Sequence, residues 1–400
     1  MIMTSGDGLR HSRALLVVSR GGHPSIDDAL NHLVSEKLLR YAHHAVVGDS
    51  GRIQALDVWS HLTALVREQN VDLVVLHHYH GQGLPDARPF IDLLRSMPRR
   101  PVVALSAGDA FYGLFQPTHP QKFRDICSGV DIVLNTSMGV AADAIVGYGA
   151  KRVALWPLGA CQVRFAKEVR PRRQKKSEFE VIFIGSNNRS RNPTSSYFWF
   201  SRKRERLLRQ LVRKFGDGFA VFGSGWDHLP NSHGPVSFDA QVATCRRARV
   251  IVGGVPYSPV RYYASNRPFI QILSGVPFVD LNVDGVDRIL RNEDHWYLTD
   301  TLDDVVDRCD DLLSRPEAER EEQGYRAARY VANHHTNLER WRGLVHTLTG
   351  LREGASDESS LSPPDLSFFL PETDVDTELP LATRGWADAK GAPGGMGDQT

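Results

Sequence analysis

Residues 14–24 read ALLVVSRGGHP and bring three local signals together. The first part, Ala14–Ser19, is a largely apolar run of strand length, which is typical of a strand buried on both faces. A Gly-Gly turn follows, and the next apolar residues recur at the spacing of one helix face. Strand, tight turn and helix in this order predict the first unit of a parallel α/β sheet. The helical positions are Ile26, Leu30, Leu33 and Leu38.

The same strand-then-helix unit recurs in two series along the chain. A polar and basic segment without apolar periodicity, RFAKEVRPRRQKKSEF, separates the two series at residues 164–179. We therefore predict two Rossmann-like domains, 1–163 and 180–335, joined by this linker and facing a cleft at the carboxyl ends of their strands. The further strand runs are Val71–Leu76, Pro101–Leu105, Asp131–Asn135, Arg152–Leu155, Glu180–Gly185, Phe219–Gly223, Arg249–Gly253 and Val276–Leu281.

The chain changes character toward its end. Asp303–Leu313 and Glu317–Leu348 have amphipathic helical patterns. After them, residues 352–400 are rich in Ser, Pro and Gly and hold ten acidic against three basic side chains. This composition predicts a disordered acidic tail, which leaves the excess of basic residues in the folded part.

The overall composition excludes several classes of protein. With 400 residues, 41% hydrophobic and 24% charged, the chain is too long and too apolar to be one small domain or disordered throughout. Its four cysteines are dispersed without a CxxC motif, which argues against a zinc site or a disulfide framework. The apolar run near the start is far too short for a signal peptide or membrane span. We expect a cytoplasmic protein.

The loops of the first domain carry histidines at predicted strand ends. Gly21 and Gly22 allow backbone N–H groups to approach a ligand, and His23 beside them suits a general base. Asp109 follows another strand and could orient that imidazole. A tight turn with a surface histidine and a helix N-cap are the plain alternatives. His77, His78 and His80 follow a third strand, where alternation puts His78 and His80 on one face, favouring contact with an acceptor over a metal site.

The second domain has a polar loop after its first strand. Gly185, Ser186 and Asn187 open it, and Arg189 and Arg191 follow with guanidinium groups that match phosphate oxygens. The loop can bind a diphosphate or can be an ordinary solvated loop, and it lacks the ending of a P-loop.

The next strand of that domain ends in a glycine-rich turn. Gly225 and Trp226 lie there, where an indole can stack on a base or fill the core.

Basic residues are densest at 164–176 and 202–214. Tyr197, Phe198, Trp199 and Phe200 precede the second cluster, so a nucleic-acid surface is conceivable. Solvated linker and helix faces are the simpler interpretation of both clusters.

The order of motifs in residues 180–351 resembles a known family. IFIGS, VFGSGW, SNRPF (Ser265–Phe269) and SGVPF (Ser274–Phe278) follow one another as in the donor domain of GT-B glycosyltransferases. The resemblance is greatest to the spore-maturation-protein-like, group 1 branch. It implies two Rossmann-like domains and a terminal helix, 336–351, that crosses back to the first domain.

The resemblance also implies an activity and site residues. A sugar would pass from a nucleotide-sugar donor to an acceptor without a metal or other cofactor, with His23 as the base and Asp109 as its partner. Asn266 and Arg267 would join the loop residues at the donor. Ile270 departs from the family, where a glutamate usually binds the donor ribose, and Gln271 or Asn266 could replace it.

Three functions remain open on the sequence. A small-molecule acceptor is the leading one. A glycosyltransferase that modifies DNA and a non-catalytic binding protein of the same fold are the alternatives. The sugar, the nucleotide, the stereochemical outcome and the oligomeric state are not specified by the sequence.

Overall fold

A computed structural model describes most of the chain. The described residues are 13–21, 23–47, 55–79, 84–107, 119–165, 169, 177–187, 190–193, 196–254, 260–290, 292–353 and 382–383. None of their helices is both long and apolar enough to span a lipid bilayer.

The first domain is built on a seven-stranded sheet in the order β12-β6-β5-β4-β3-β1-β2, in which all pairs are parallel except that between β12 and β6. The strands are β1 (Arg13–Ser19), β2 (Leu39–Val46), β3 (Leu73–His77), β4 (Val102–Ser106), β5 (Ile132–Asn135), β6 (Arg152–Leu155) and β12 (Ala382–Thr383). The helices are α1 (Pro24–Ser35), α2 (Ala55–Glu68), α3 (Arg88–Arg95), α4 (Gln121–Cys127) and α5 (Val140–Gly147).

The second domain has a five-stranded parallel sheet in the order β11-β10-β9-β7-β8. The strands are β7 (Phe179–Ile184), β8 (Phe219–Phe222), β9 (Ala248–Val252), β10 (Phe278–Leu281) and β11 (Tyr297–Thr299). The helices are α6 (Ser196–Phe215), α7 (Gln241–Cys245), α8 (Asn266–Ile272), α9 (Leu302–Ser314), α10 (Glu317–His334) and α11 (Asn337–Glu353).

These elements follow from local sequence. In β1 the residues from Ala14 to Val18 have no exposed surface, because helices cover both faces of the sheet. Helix α1 begins at Pro24, whose fixed φ suits a first helical position. Helix α9 begins with a capping box in which Thr301 and Asp304 bond to each other's backbone N–H.

Both sheets reverse their strand order at one point, between β1 and β3 in the first and between β7 and β9 in the second. Ligands of doubly wound sheets bind in the crevice at the carboxyl ends of such strands. The loops after these four strands are therefore the ones to examine.

The helical pattern over Glu317–Leu348 forms two helices, α10 and α11. Glu317–Leu348 is interrupted at His335 and Thr336, where the chain passes from the second domain to the first. The Ala160 N–H donates to the His335 carbonyl at 2.9 Å, and the Asn337 N–H donates to the Ala160 carbonyl at 2.9 Å. These bonds to the first domain compete with those that would continue the helix.

Helix α11 completes the first domain. It packs against α1 and reaches β4. At its end, Arg352 forms a 3.0 Å ion pair with Asp72, which also pairs with Arg99 and accepts the Ala14 N–H at 3.1 Å. The Asp72 side chain is buried, so the pairs fix α11 to the sheet.

The predicted tail lies mainly outside the described residues. Ala382–Thr383 pairs antiparallel with β6. The predicted linker also lies largely outside them. At its start Phe165 is buried and its ring contacts that of Phe238 in the second domain.

Candidate active site

A cavity of about 240 Å³ lies at the carboxyl ends of β9 and β10 in the second domain. Helices α6 and α8 form its walls, with Arg204 from α6 and Asn266 and Arg267 from the start of α8. Aromatic residues Tyr197, Phe200 and Tyr263 also line it. A cavity lined by both cations and aromatic rings can hold an anion joined to a planar group.

The guanidinium groups of Arg204 and Arg267 converge at two glycines. A β-carbon on Gly254 would lie 2.8 Å from Arg204 Nη2 and 3.3 Å from Arg267 Nη1, and one on Gly185 would lie 2.8 Å from Arg267 Nη1. Arg204 is only 5% exposed, donates to the Ser186 carbonyl at 3.0 Å and lies 4.0 Å above the Phe200 ring. A side chain at either position would displace these guanidinium groups, so glycine allows the two cations to approach the backbone.

Asp280, at the end of β10, lies close to this pair. Burial raises the pKa of its carboxyl to about 8, opposed by the Leu281 backbone N–H, which donates at 2.8 Å, and by the charges of Arg204 and Arg267. The site therefore combines two cations with a carboxyl group that titrates near neutral pH.

Sequence reasoning missed Arg204 and Asp280 as site residues. Arg204 was grouped with solvated basic residues, but it shares a helix face with Phe200, Leu207 and Leu211, so its spacing indicates burial. Asp280 is a single acid at the carboxyl end of an apolar strand, which is a second available signal.

The loop after β7 is bonded to its neighbour. The Asn187 N–H donates to the Ser224 carbonyl at 2.9 Å, and its amide Nδ2 donates to the Gly225 carbonyl at 3.1 Å. Gly225 has φ +81, which favours glycine. Gly185 and Ser186 contact the two arginines, so this part of the predicted donor loop lies at the cavity.

Two predicted donor residues are placed elsewhere. Trp226 has no exposed surface and donates Nε1–H to the Gly185 carbonyl at 2.6 Å, so the prediction that it stacks on a base is wrong. Arg191 lies in an open groove along α6 and does not line the cavity. Gly22 and Arg189 lie outside the described residues.

Gln271 and Asn266, the two residues expected to replace a ribose-binding glutamate, lie in different surroundings. Ile270 and Gln271 are both buried, and Gln271 Nε2 donates to the Ile184 carbonyl at 3.3 Å. Gln271 therefore faces the sheet, whereas Asn266 lines the cavity.

A second cavity, of about 370 Å³, lies between the domains. His23 and His78 line it from the first domain, together with Trp156, and Arg340 and Trp341 line it from α11. Asn266 lines both cavities, so they adjoin at the start of α8.

His23 has surroundings suited to a base. Partial burial lowers the pKa of its imidazole, and His44 and Arg164 lower it further, while Asp27 acts in the opposite direction. The ring is therefore neutral at pH 7 and able to accept a proton.

A hydrogen-bonded series supports the turn before His23. Asp27 Oδ1 lies 2.8 Å from His44 Nδ1, and His44 Nε2 lies 2.6 Å from Ser19 Oγ. Ser19 is buried and donates to the Gly21 carbonyl, so its hydroxyl positions the turn. The predicted partner, Asp109, lies outside the described residues, and so does His80.

His77 and His78 are on the same side, so their predicted alternation is wrong. His78 has φ +51, and the two rings stack with centroids 3.8 Å apart. Ser106 Oγ lies 3.0 Å from His77 Nδ1 and accepts the His78 N–H at 3.1 Å. Within the described ranges, no three His, Cys, Asp or Glu side chains are grouped as metal ligands are.

Known proteins have a related sequence segment and a similar fold. Residues 202–346 match the family model of glycosyl transferase-like proteins. No curated protein matches the sequence. The UDP-forming α,α-trehalose-phosphate synthase of Burkholderia xenovorans is 13% identical with a TM-score of 0.54, over 85% of this chain and 100% of that one. A glycosyltransferase of Rickettsia africae is 12% identical with a TM-score of 0.53, over 87% and 100%.

HepE of Anabaena, solved in complex with UDP and glucose, has the same fold. It is 10% identical with a TM-score of 0.52, over 85% of this chain and 100% of that chain. The two sheets have the GT-B architecture of these structures, and the family match within the second domain is to glycosyl transferase-like proteins. The predicted fold and enzyme class are confirmed, and the glycosyl transferase-like match covers most of the second domain.

Proposed function

We propose that this chain transfers a sugar from a uridine diphosphate donor to a small-molecule acceptor. The observation that carries the proposal is the convergence of Arg204 and Arg267 on Gly185 and Gly254 beside an aromatic-lined cavity. Two guanidinium groups can balance the charge of a departing diphosphate, the main catalytic contribution expected of such a site. The UDP bound to HepE supports uridine as the nucleoside.

The adjoining cavities suggest how the groups divide the work. The diphosphate would lie at the arginines, with Tyr197 over the base and the sugar at Asn266, where the cavities meet. His23 would take the proton from the acceptor hydroxyl, whose oxygen attacks the anomeric carbon as the bond to the diphosphate breaks. His78 and His80 are the next candidates for the base.

The two arginines also support a reaction without a metal. Their charges can replace a divalent cation at the diphosphate, so turnover is expected to be unchanged by EDTA. We further propose that the chain is related to the spore-maturation-protein-like branch, on the ordered motifs of residues 180–351.

Calorimetric titration with UDP, GDP and dTDP tests the donor assignment. UDP is expected to bind with a micromolar Kd and the other nucleotides at least tenfold more weakly. Arg204→Gln should weaken UDP binding at least tenfold, because its buried charge-assisted bonds are lost. Arg206→Gln, on the exposed side of α6, is the matched control. If none of the three nucleotides binds, the proposal is contradicted.

One observation favours a DNA acceptor as the second candidate. Arg191, Arg202, Arg206, Arg209 and Arg213 line an open groove along α6 with a single acid, Glu205. Arginines in such a groove can contact phosphates of a duplex. Duplex binding that weakens steeply with salt would support this candidate, and absence of binding at low salt would remove it.

A further inference from the structure

Arg340 is a buried cation in the cavity between the domains. It lies in the first turns of α11, is only 2% exposed and lines the cavity. Its Nη2 lies 2.6 Å from His335 Nδ1, and Nη1 donates to the His334 carbonyl at 3.3 Å. Its Nε has no hydrogen-bond partner among the described residues. The side chain is therefore held by neutral groups only.

Among the described residues Arg340 has no ion-pair partner, although the charge of the neighbouring Glu339 favours its protonated form. Glu339 forms its ion pair with Arg342, and the described lining of the cavity contains no Asp or Glu. Burial lowers the pKa of Arg340 to about 10, which reflects the cost of keeping a guanidinium away from water. Besides the thiol of Cys161, the other titratable residues of the lining are the bases Arg164, His23, His77 and His78.

The remaining walls of this cavity are mainly apolar. Trp156 and Trp341 meet edge to face with ring centroids 5.5 Å apart, and Phe238 lies on the side of the second domain. Such walls bind an apolar or aromatic group, whereas the buried arginine requires an anion.

We propose that the acceptor bears an acidic group, a phosphate or a carboxylate, on a largely apolar body, and that Arg340 binds this group. The inference rests on the proposed function, since it assigns the cavity of His23 to the acceptor. The acceptor hydroxyl would face His23 while the acid lies at α11. Arg204 and Arg267 serve the donor in the adjoining cavity, so Arg340 is available to a second anion.

The test uses the full chain saturated with UDP and three probes of the same ring. Phenyl phosphate and benzoate carry the two anions, and benzyl alcohol is their neutral counterpart. Calorimetry is expected to show at least one anion binding tenfold or more tightly than benzyl alcohol. The stronger of the two anions identifies the acid.

Variants at α11 assign the effect to one residue. Arg340→Gln should abolish the preference for anions while UDP binding is unchanged, and Arg340→Lys should retain part of it. Arg342→Gln, two residues along the same helix and paired with Glu36 outside the cavity, should behave as the wild type. If Arg340→Gln does not fold, the preference for anions can still be compared between the wild type and Arg340→Lys.

Each failure has a separate meaning. A wild type that binds UDP but binds the three probes equally would overturn the anionic acceptor and leave the donor assignment standing. A tenfold loss of UDP affinity in Arg340→Gln, with the probe preference retained, would assign Arg340 to the donor and also overturn the inference. A wild type that binds no UDP contradicts the proposed function itself.

Discussion

His23 is the residue on which turnover should depend most directly. Its lowered pKa keeps it neutral at pH 7, and it lines the cavity that we assign to the acceptor. His23→Ala is expected to reduce kcat by about 10²–10⁴-fold, the usual contribution of a general base. UDP affinity should be unchanged, because the arginines of the donor cavity are untouched.

His32→Ala is the matched control for this variant, since His32 lies exposed on α1, the helix that follows His23. In the wild type, activity should also decline as the pH falls through the lowered pKa of His23, because the protonated ring cannot accept a proton. Full activity of His23→Ala would place the base elsewhere, with His78 examined next.

Asp280 is expected to make donor affinity dependent on pH. Because the pKa of its carboxyl is raised to about 8, the group is mainly neutral at pH 7 and ionised at pH 9. The ionised form offsets the charges of Arg204 and Arg267 and repels a diphosphate. UDP affinity is therefore expected to fall between pH 7 and pH 9.

Asp280→Asn keeps the neutral form at every pH, so calorimetry on this variant should show UDP affinity that varies little over the same range. A wild-type affinity that is constant from pH 7 to pH 9 would contradict the assignment of Asp280 to the donor site.

At the scale of elements, α11 is fixed to the first domain by a buried carboxylate. Asp72 accepts the Ala14 N–H and pairs with Arg99 and Arg352. Asp72→Ala should lower the free energy of unfolding by about 2 kcal/mol, as is typical for hydrogen bonds to charged groups. Urea unfolding measures the change.

Asp86→Ala is the control for that experiment. Asp86 pairs with Arg88 at the surface, and exposed pairs contribute roughly 0–1 kcal/mol. Equal effects of the two substitutions would show that the Asp72 pairs do not hold α11.

Some elements could be predicted from the sequence and others could not, for physical reasons. Strands buried on both faces, such as β1 and β7, are continuous apolar runs and were predicted. The edge strand β2 contains His43 and His44 and is largely half-buried or exposed, so it has no such run. The break at His335 depends on bonds to Ala160, which is distant in sequence.

The residues of the candidate site also divide into those that the sequence predicts and those that it does not. Gly185 and His23 follow predicted strands, so their positions at the cleft could be inferred. Trp226 follows a strand too, but its side chain turns into the core, and a single sequence gives no side-chain direction in a loop. Arg340 could not be inferred, because its burial depends on how α11 crosses between the domains.

For the whole molecule, donor binding is expected to close the cleft. The two domains meet at a limited set of backbone bonds, including that from the Met138 N–H to the Arg261 carbonyl at 2.9 Å. A ligand that contacts both domains stabilises the closed arrangement. Small-angle scattering should show a smaller radius of gyration with UDP-sugar than without.

Two samples are the controls: the free chain in the same buffer, and the chain with UMP. UMP lacks the second phosphate and the sugar that is transferred. Identical radii for the free and UDP-sugar-bound forms would rule out large closure.

The return of α11 to the first domain also affects how this protein is made. Residues 164–336 must be translated before α11 emerges, which takes roughly 10–35 s at about 5–20 residues per second. During that time α1 lacks the helix that packs against it. We expect the nascent first domain to wait on the ribosome in an incomplete state, accessible to chaperones, until the last helix docks.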